Sequence, residues 1–181
     1  METRCDNTSV GIILENKIGE ILLLNRAKFP FGLAAPAGHI DNHGSPEQAM
    51  IDEVSEEVGL YIASKSLEKV IDARRIDNKC RRAEGDHHYW TVFRASNVEG
   101  EFEPSADETL GVEWVSLDRL NELSKSTIDR EDTPASRGDQ VLEPIWLSFF
   151  TELGYTRNLN TFPTSPSSQF FDKNTYRCYN I

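Results

Sequence analysis

The chain has 181 residues, 30 of them acidic and 19 basic, giving a net charge of −11 and a pI near 4.8. That length suits one domain with its own core, and 38% hydrophobic with 27% charged residues is the balance of a soluble globular chain. The acidic excess argues against bulk attraction to a DNA or RNA backbone. With no long apolar run and no charged-then-apolar leader, neither a membrane span nor a signal peptide is expected, and the reading is a cytoplasmic protein. Cys5, Cys80 and Cys178 are odd in number and far apart. Their spacing suggests neither a disulfide framework nor a zinc site, so free thiols are expected.

Residues 9–14 and 20–25 read as strands around a turn at 16–19. Residues 29–32, with Pro30 and Gly32, read as a loop or irregular strand. A helix over 46–58 is well signalled. Ser45 is an N-cap, Pro46 suits the first helical position, and Gln48 completes a capping box. Gly59 is placed to stop the helix in a left-handed conformation. Residues 67–76 have strand character with weak alternation, and 77–86 are a polar loop. Residues 87–95 are a strand by their aromatic and β-branched content. A short strand at 112–115 precedes a helix over 117–123 capped by Ser116, then a polar loop over 124–139. Leu142, Ile145, Trp146, Phe149, Phe150 and Leu153 have helical spacing, with Gly154 as the stop. The division expected is a domain over 1–154 and a polar tail over 155–181. Isolated aromatics such as Phe162, Phe170 and Tyr176 suggest that the tail docks on the domain or on a second subunit, and a homodimer is the oligomer it would suit.

Within the 46–58 helix, Met50, Ile51, Val54 and Val58 form an apolar stripe. Beside it, Glu53, Glu56 and Glu57 span only about 100° of the helix surface. Like charges at this spacing repel. A hard divalent cation with oxygen ligands is the simplest reason to keep them together, and such ions favour phosphate substrates.

The segment GHIDNHGSPEQAMIDEVSEEVGL at 38–60 resembles the Nudix box, G-x5-E-x7-R-E-U-x-E-E-x-G-U with U aliphatic. Gly38, Glu53, Val54, Glu56, Glu57, Gly59 and Leu60 fall in register. Gly44 stands where the pattern has Glu, and Asp52 where it has Arg; in the family those two pair and position the helix. The flanks ILLLNRAKFPFGLAAPAGHID, HHYWTVFRAS and ADETLGVEWVSLDRL are similar to the family's strands around the box, so the likeness covers roughly residues 8–153. It implies an α/β/α sandwich with a mixed β-sheet and a Mg²⁺-dependent hydrolase, with Mn²⁺ as the alternative ion. The substrate would be a nucleoside diphosphate linked to another group, or a nucleoside triphosphate. It also implies that Glu56 and Glu57 ligate the metal, that Glu53 is a ligand or the base that activates water, and that the Gly38 carbonyl faces the ion.

Asp41 and His43 lie where either could stand in for the Glu missing at 44, although loop residues of this kind are more often simply solvated. Asp52, four residues before Glu56, adds repulsion. Replacing Gly44 by Glu and Asp52 by Arg together is expected to raise activity more than either change alone. Arg26, and less strongly Lys28, could grip a phosphate. Glu108, next to Asp107, is the candidate for the further acidic residue that many family members supply from a late loop. His87 and His88 could touch substrate, but histidines at a strand start are more often structural. Tyr89 or Trp90 could stack a base, with core packing as the default. The pairs Arg74–Arg75 and Arg81–Arg82 either attract phosphate or balance carboxylates. Two other functions compete: a nucleotide-binding module that keeps the fold with little or no turnover, and an isomerase of an isoprenoid diphosphate. The isomerase would need a cysteine near the box, where the sequence has none.

Overall fold

The computed structural model describes residues 4–98, 100–130 and 133–157. In chain order the elements are β1 (Thr8–Leu14), β2 (Ile21–Arg26), β3 (Leu33–Ala34), β4 (Ala37–Gly38), α1 (Pro46–Val58), a 3₁₀ turn (Ser64–Ser66), β5 (Glu68–Ile76), β6 (His88–Ala95), β7 (Thr109–Val115), α2 (Leu117–Asp129) and α3 (Pro144–Glu152).

Strand β1 is buried from Ser9 to Leu14 without alternation, so both of its faces are covered. It is an inner strand of a four-stranded sheet ordered β4-β1-β6-β5. It runs parallel to β6, with Val10 opposite Thr91, and antiparallel to β4, with Val10 opposite Gly38. The sheet is therefore mixed, as expected. Strands β3, β2 and β7 form a second, antiparallel sheet of three. A Cβ built on Gly11 would lie 2.8 and 2.9 Å from the Trp146 ring, so that glycine lets α3 close on the sheet. Trp90, Trp146, Phe149 and Phe150 make a chain of tilted and edge-to-face contacts around this point.

Several boundaries differ from expectation. Strand β7 begins at Thr109 rather than 112, because the Thr109 hydroxyl donates to the carbonyls of Asn25 and Gly111. Helix α2 continues through Asp129, so 124–129 are not loop. Ser124 and Thr127 bond back to the carbonyls of Leu120 and Leu123 at 2.7 and 2.8 Å, and Lys125 pairs with Asp129 one turn on. The Thr127 hydroxyl also accepts the Leu142 N–H at 2.8 Å, and this tertiary tie outweighs the low helix propensity of Ser and Thr. Helix α3 starts at Pro144 because the Glu143 carboxylate accepts the N–H groups of Ile145 and Trp146. The weak alternation of β5 reflects an edge strand that is mostly exposed and carries register shifts.

After α3, Tyr155 packs on Phe150 with ring centroids 6.0 Å apart and donates its hydroxyl proton to Glu15. The aromatics expected to dock the tail, from Phe162 onward, lie outside the described residues. No helix among the described residues is long and apolar enough to cross a membrane.

Candidate active site

Helix α1 delivers the site. Ser45 is extended (φ −143°) and its hydroxyl accepts the Gln48 N–H at 3.2 Å; Gly59 closes the other end at φ +74° with its N–H on Ser55 O. Only half of the expected capping box forms, because the Gln48 side chain donates to Asp52 at 2.8 Å rather than reaching back to the cap. Met50, Val54 and Val58 are fully buried, which is worth roughly 1.5–3 kcal/mol each. That apolar face fixes the direction in which the adjacent carboxylates point.

Glu57 is 8% exposed, and its Oε2 accepts the Ala37 N–H at 3.0 Å, tying α1 to β4. The Glu53 carboxylate lies directly on the backbone of Gly38: a Cβ at 38 would sit 1.7 Å from Glu53 Oε1. The box glycine thus leaves the space that the Glu53 carboxylate fills. Burial, with a contribution from Glu56, pushes the Glu53 carboxyl up to about 7. Burial, reinforced by Glu53, pushes Glu57 up to about 8. Glu56 is exposed. All three line a cleft of about 500 Å³, which Gly38, Arg26, Lys28, Asp107 and Glu108 also border. The candidates drawn from the box, the strand before it and the late loop therefore converge.

Two of these groups are already engaged. Arg26 Nε donates to Pro30 O at 2.7 Å, and Lys28 pairs with Glu108 across the cleft. Arg81 and Arg82 also line the cleft, Arg82 paired with Asp41. Among the remaining arginines, Arg74 forms a double hydrogen bond with Glu152 and Arg75 pairs with Asp77, the charge-balancing role. His87 binds Asp86, and Tyr89 is half-exposed beside it. Trp90 belongs to the core cluster, although it also reaches the cleft wall.

The expected repulsion from Asp52 is offset. His43 Nδ1 lies 2.8 Å from Asp52 Oδ2, and the hydrogen bonds from His43 and Gln48 hold the Asp52 carboxyl below its usual range. The loop and the helix are therefore linked here by a basic loop residue and an acidic helix residue. This is the reverse polarity of the Glu and Arg that the box pattern would place there. Gly44 itself has φ +85° with open space around it.

Two features escaped the sequence reading. Glu143 is buried at the cleft, with its carboxyl raised by burial, and a Glu before a Pro-initiated helix was its only local signal. The second concerns the cysteines. Cys5 and Cys80 are free, as expected, but they meet His39 and His88, and the ligand atoms of all four lie within 4.8 Å of one another. No short spacing announces this group, because its members come from four separate parts of the chain.

The family model described as the NUDIX domain matches residues 6–135. Among curated proteins, the NAD-capped RNA hydrolase NudC of Pseudomonas aeruginosa is 30% identical over 138 residues, 74% of this chain and 46% of that protein. An RNA pyrophosphohydrolase of Cellvibrio japonicus is 47% identical over 53 residues, 29% of this chain and 31% of that one. Each match thus spans less than half the length of the curated relative. Among solved structures, the MutT protein from Methanosarcina mazei Go1 superposes with a TM-score of 0.59 at 20% identity, covering 85% of this chain and 96% of that one. The dihydroneopterin triphosphate pyrophosphohydrolase of E. coli gives 0.55 at 21% identity, covering 72% and 94%. At these identities the structures speak for the fold.

Proposed function

The chain belongs to the Nudix family, and on that premise we propose that it is a divalent-metal-dependent pyrophosphohydrolase. Its substrate class is a nucleoside diphosphate linked to another group, or a nucleoside triphosphate. The observation that carries this reading is the cleft where the half-buried Glu53 lies on Gly38 and, one helical turn on, the buried Glu57 accepts the Ala37 N–H, with Arg26, Lys28, Arg81 and Arg82 also lining it.

The donor set fits a hard ion. It is all oxygen, and two carboxyls driven into the neutral range by burial and by neighbouring carboxylates are what a divalent cation would bring back down. Glu56, Glu57 and Glu53 would hold Mg²⁺ or Mn²⁺, with the Gly38 carbonyl as the remaining ligand. When bound, the ion supplies charge neutralisation at phosphate oxygens and a more acidic water.

The other tasks fall to the chain. Where Glu53 is not itself a ligand, its carboxyl, raised by burial, has the basicity to accept the proton of an attacking water. Arg26 and Lys28 face the cleft from the end of β2 and the residues just after it, placed to take the charge of a diphosphate. For Lys28 this means exchanging Glu108 for phosphate, which would free the Glu108 carboxylate as a second proton acceptor. The reaction is attack by water at phosphorus with loss of the phosphate-linked leaving group.

The names of the curated relatives direct the choice of substrates to try. The test is chromatographic turnover of a panel that includes nucleoside triphosphates, NAD, ADP-ribose, dinucleoside polyphosphates and short RNAs bearing a 5′-triphosphate or an NAD cap. Each is assayed with Mg²⁺, with Mn²⁺ and with chelator, beside Glu57→Gln. Metal-dependent cleavage that the variant loses is the expected result. Tight nucleotide binding with no turnover of any compound would replace the enzyme by a binding module.

A further inference from the structure

We propose that Cys5, His39, Cys80 and His88 form a closed tetrahedral zinc site, structural in role and distinct from the three glutamates, with His39, Cys80 and His88 bordering the same cleft. The four ligands come from the segment before β1, from the residue that follows β4, from the 77–87 loop and from the first residue of β6. Cys5 Sγ is 3.5 Å from His39 Nε2 and 3.3 Å from His88 Nε2, and Cys80 Sγ is 3.3 Å from His39 Nε2. A tetrahedral ion with Zn–S near 2.3 Å and Zn–N near 2.0–2.1 Å sets its S···N edges at about 3.6 Å. These three edges lie within a few tenths of an ångström of that value, and every other pair of ligand atoms is within 4.8 Å.

The surroundings are those of a metal site rather than of a chance cluster. His88 Nδ1 is 3.0 Å from Asn78 Oδ1, and both residues are buried. An amide oxygen only accepts, so the proton sits on Nδ1 and the Nε2 lone pair faces the sulfurs. Each sulfur accepts a backbone N–H from two residues on: Asn7 to Cys5 at 3.4 Å, and Arg82 to Cys80 at 3.3 Å. Such donors favour thiolate and, at Cys5, work against the burial that raises the free thiol. Gly85 has no room for a side chain, since its Cβ would lie 2.3 Å from Cys80 Cβ and 2.9 Å from Cys5 Sγ. The loop is also pinned by Cys80 N–H on Gly85 O and Cys5 N–H on Ala83 O, both 2.9 Å.

The chemistry selects the ion. Two thiolates and two imidazoles prefer zinc over magnesium or manganese. Two thiolate charges cancel the ion's charge, so the group, buried at Cys5 and His88 and half-buried at His39 and Cys80, is neutral overall. Four protein ligands leave no open position, which marks a structural site rather than a catalytic one. Its effect is positional: it fastens the polar loop that carries Arg81 and Arg82 to the residue beside Gly38.

The test is elemental analysis by plasma mass spectrometry on the full chain purified without chelator, followed by exchange into Co²⁺. One zinc per chain is expected. The cobalt protein should show the intense visible bands of a tetrahedral site and a thiolate charge-transfer band in the near ultraviolet. Cys80→Ser and His88→Gln should lose the zinc, and Glu57→Gln should keep it. Zinc no higher than in Cys80→Ser, a weak octahedral cobalt spectrum, zinc lost on Glu57→Gln, or a Cys5–Cys80 disulfide found by mass after alkylation would each overturn the proposal. Should Cys80→Ser fail to fold, the cobalt spectrum of the unaltered chain decides alone.

Discussion

Replacing Glu57 by Gln separates what the carboxylate site costs from what it does. In chelator, the folded chain holds this carboxyl at about 8 against an ordinary 4.5. The folded state thus keeps a proton that the unfolded state has released. The sign follows directly: stability is highest below about 4.5, falls as pH rises, and is lost through about 8. At pH 9 the penalty for ionising this group in place is on the order of 5 kcal/mol. A glutamine amide oxygen can still accept the Ala37 N–H, so the tie between α1 and β4 survives. The expected result in chelator is a variant equal to the parent at pH 5 and more stable at pH 9 by several kcal/mol, read by urea midpoints at each pH. Mg²⁺ should raise the parent's midpoint at pH 9 and leave the variant's nearly unmoved. Turnover should fall by roughly 10²-fold or more, the several kcal/mol that a bound metal supplies. A variant less stable than its parent at pH 9 in chelator would refute the reasoning, because it would mean that the ionised carboxylate is already compensated without a cation.

Four further outcomes are expected. Gly38→Ala must displace the Glu53 carboxylate, whose Oε1 lies 1.7 Å from the new Cβ; single-turnover rates should drop on the order of 10²-fold, the scale of an ångström's misplacement, with the fold intact by circular dichroism. Gly11→Ala drives a methyl into the Trp146 ring and should cost about 1–3 kcal/mol in denaturant titration, while activity per folded molecule is unchanged. His43→Ala removes the partner of Asp52 and loosens the loop before α1; kcat/KM should fall about tenfold, as for the loss of a residue that orients a ligand. Against the expectation from the sequence, Gly44→Glu with Asp52→Arg should not raise activity, since Asp52 already has its partner in His43 and a glutamate at φ +85° is strained. Gain of activity in that double variant would show that the reversed pair is a poor substitute.

Where local rules act, the sequence was readable. The end caps of α1 and the facing of three glutamates depend on neighbours within a few residues and appear as expected, while of the apolar stripe Met50, Val54 and Val58 are buried and Ile51 only half so. The far end of α2 was not readable, because Ser124 and Thr127 look like loop residues until Leu142 arrives to bond Thr127. Likewise, a Gln three residues after a Ser cap signals a capping box, but Asp52 competes for that side chain from four residues further on. The cysteine and histidine group was hidden for a stronger reason. Its members lie 34 to 83 residues apart in chain order, measured from Cys5, and only strand pairing brings them together. Asp41 and His43 were both read as candidates for one vacancy, yet each has its own partner, Arg82 and Asp52.

The pairing of β1 with β6 has a bearing on how the site comes into being. Gly38 and Ala37 hang on β1, and β1 completes its ladder only with residues 89–95. Contacts of that sequence separation form slowly and late. A nascent or truncated chain that ends soon after Leu60 would carry every residue of the box and strands β1 and β4, but neither β6 nor β5 of the sheet on which the box rests. Its three glutamates would sit on a short isolated helix, which is marginal in water, and they would repel one another with no cleft around them. The motif is therefore an instruction whose meaning depends on a strand made some thirty residues later. Affinity for the ion should appear as a step when that strand is supplied, rather than grow with the length of the box.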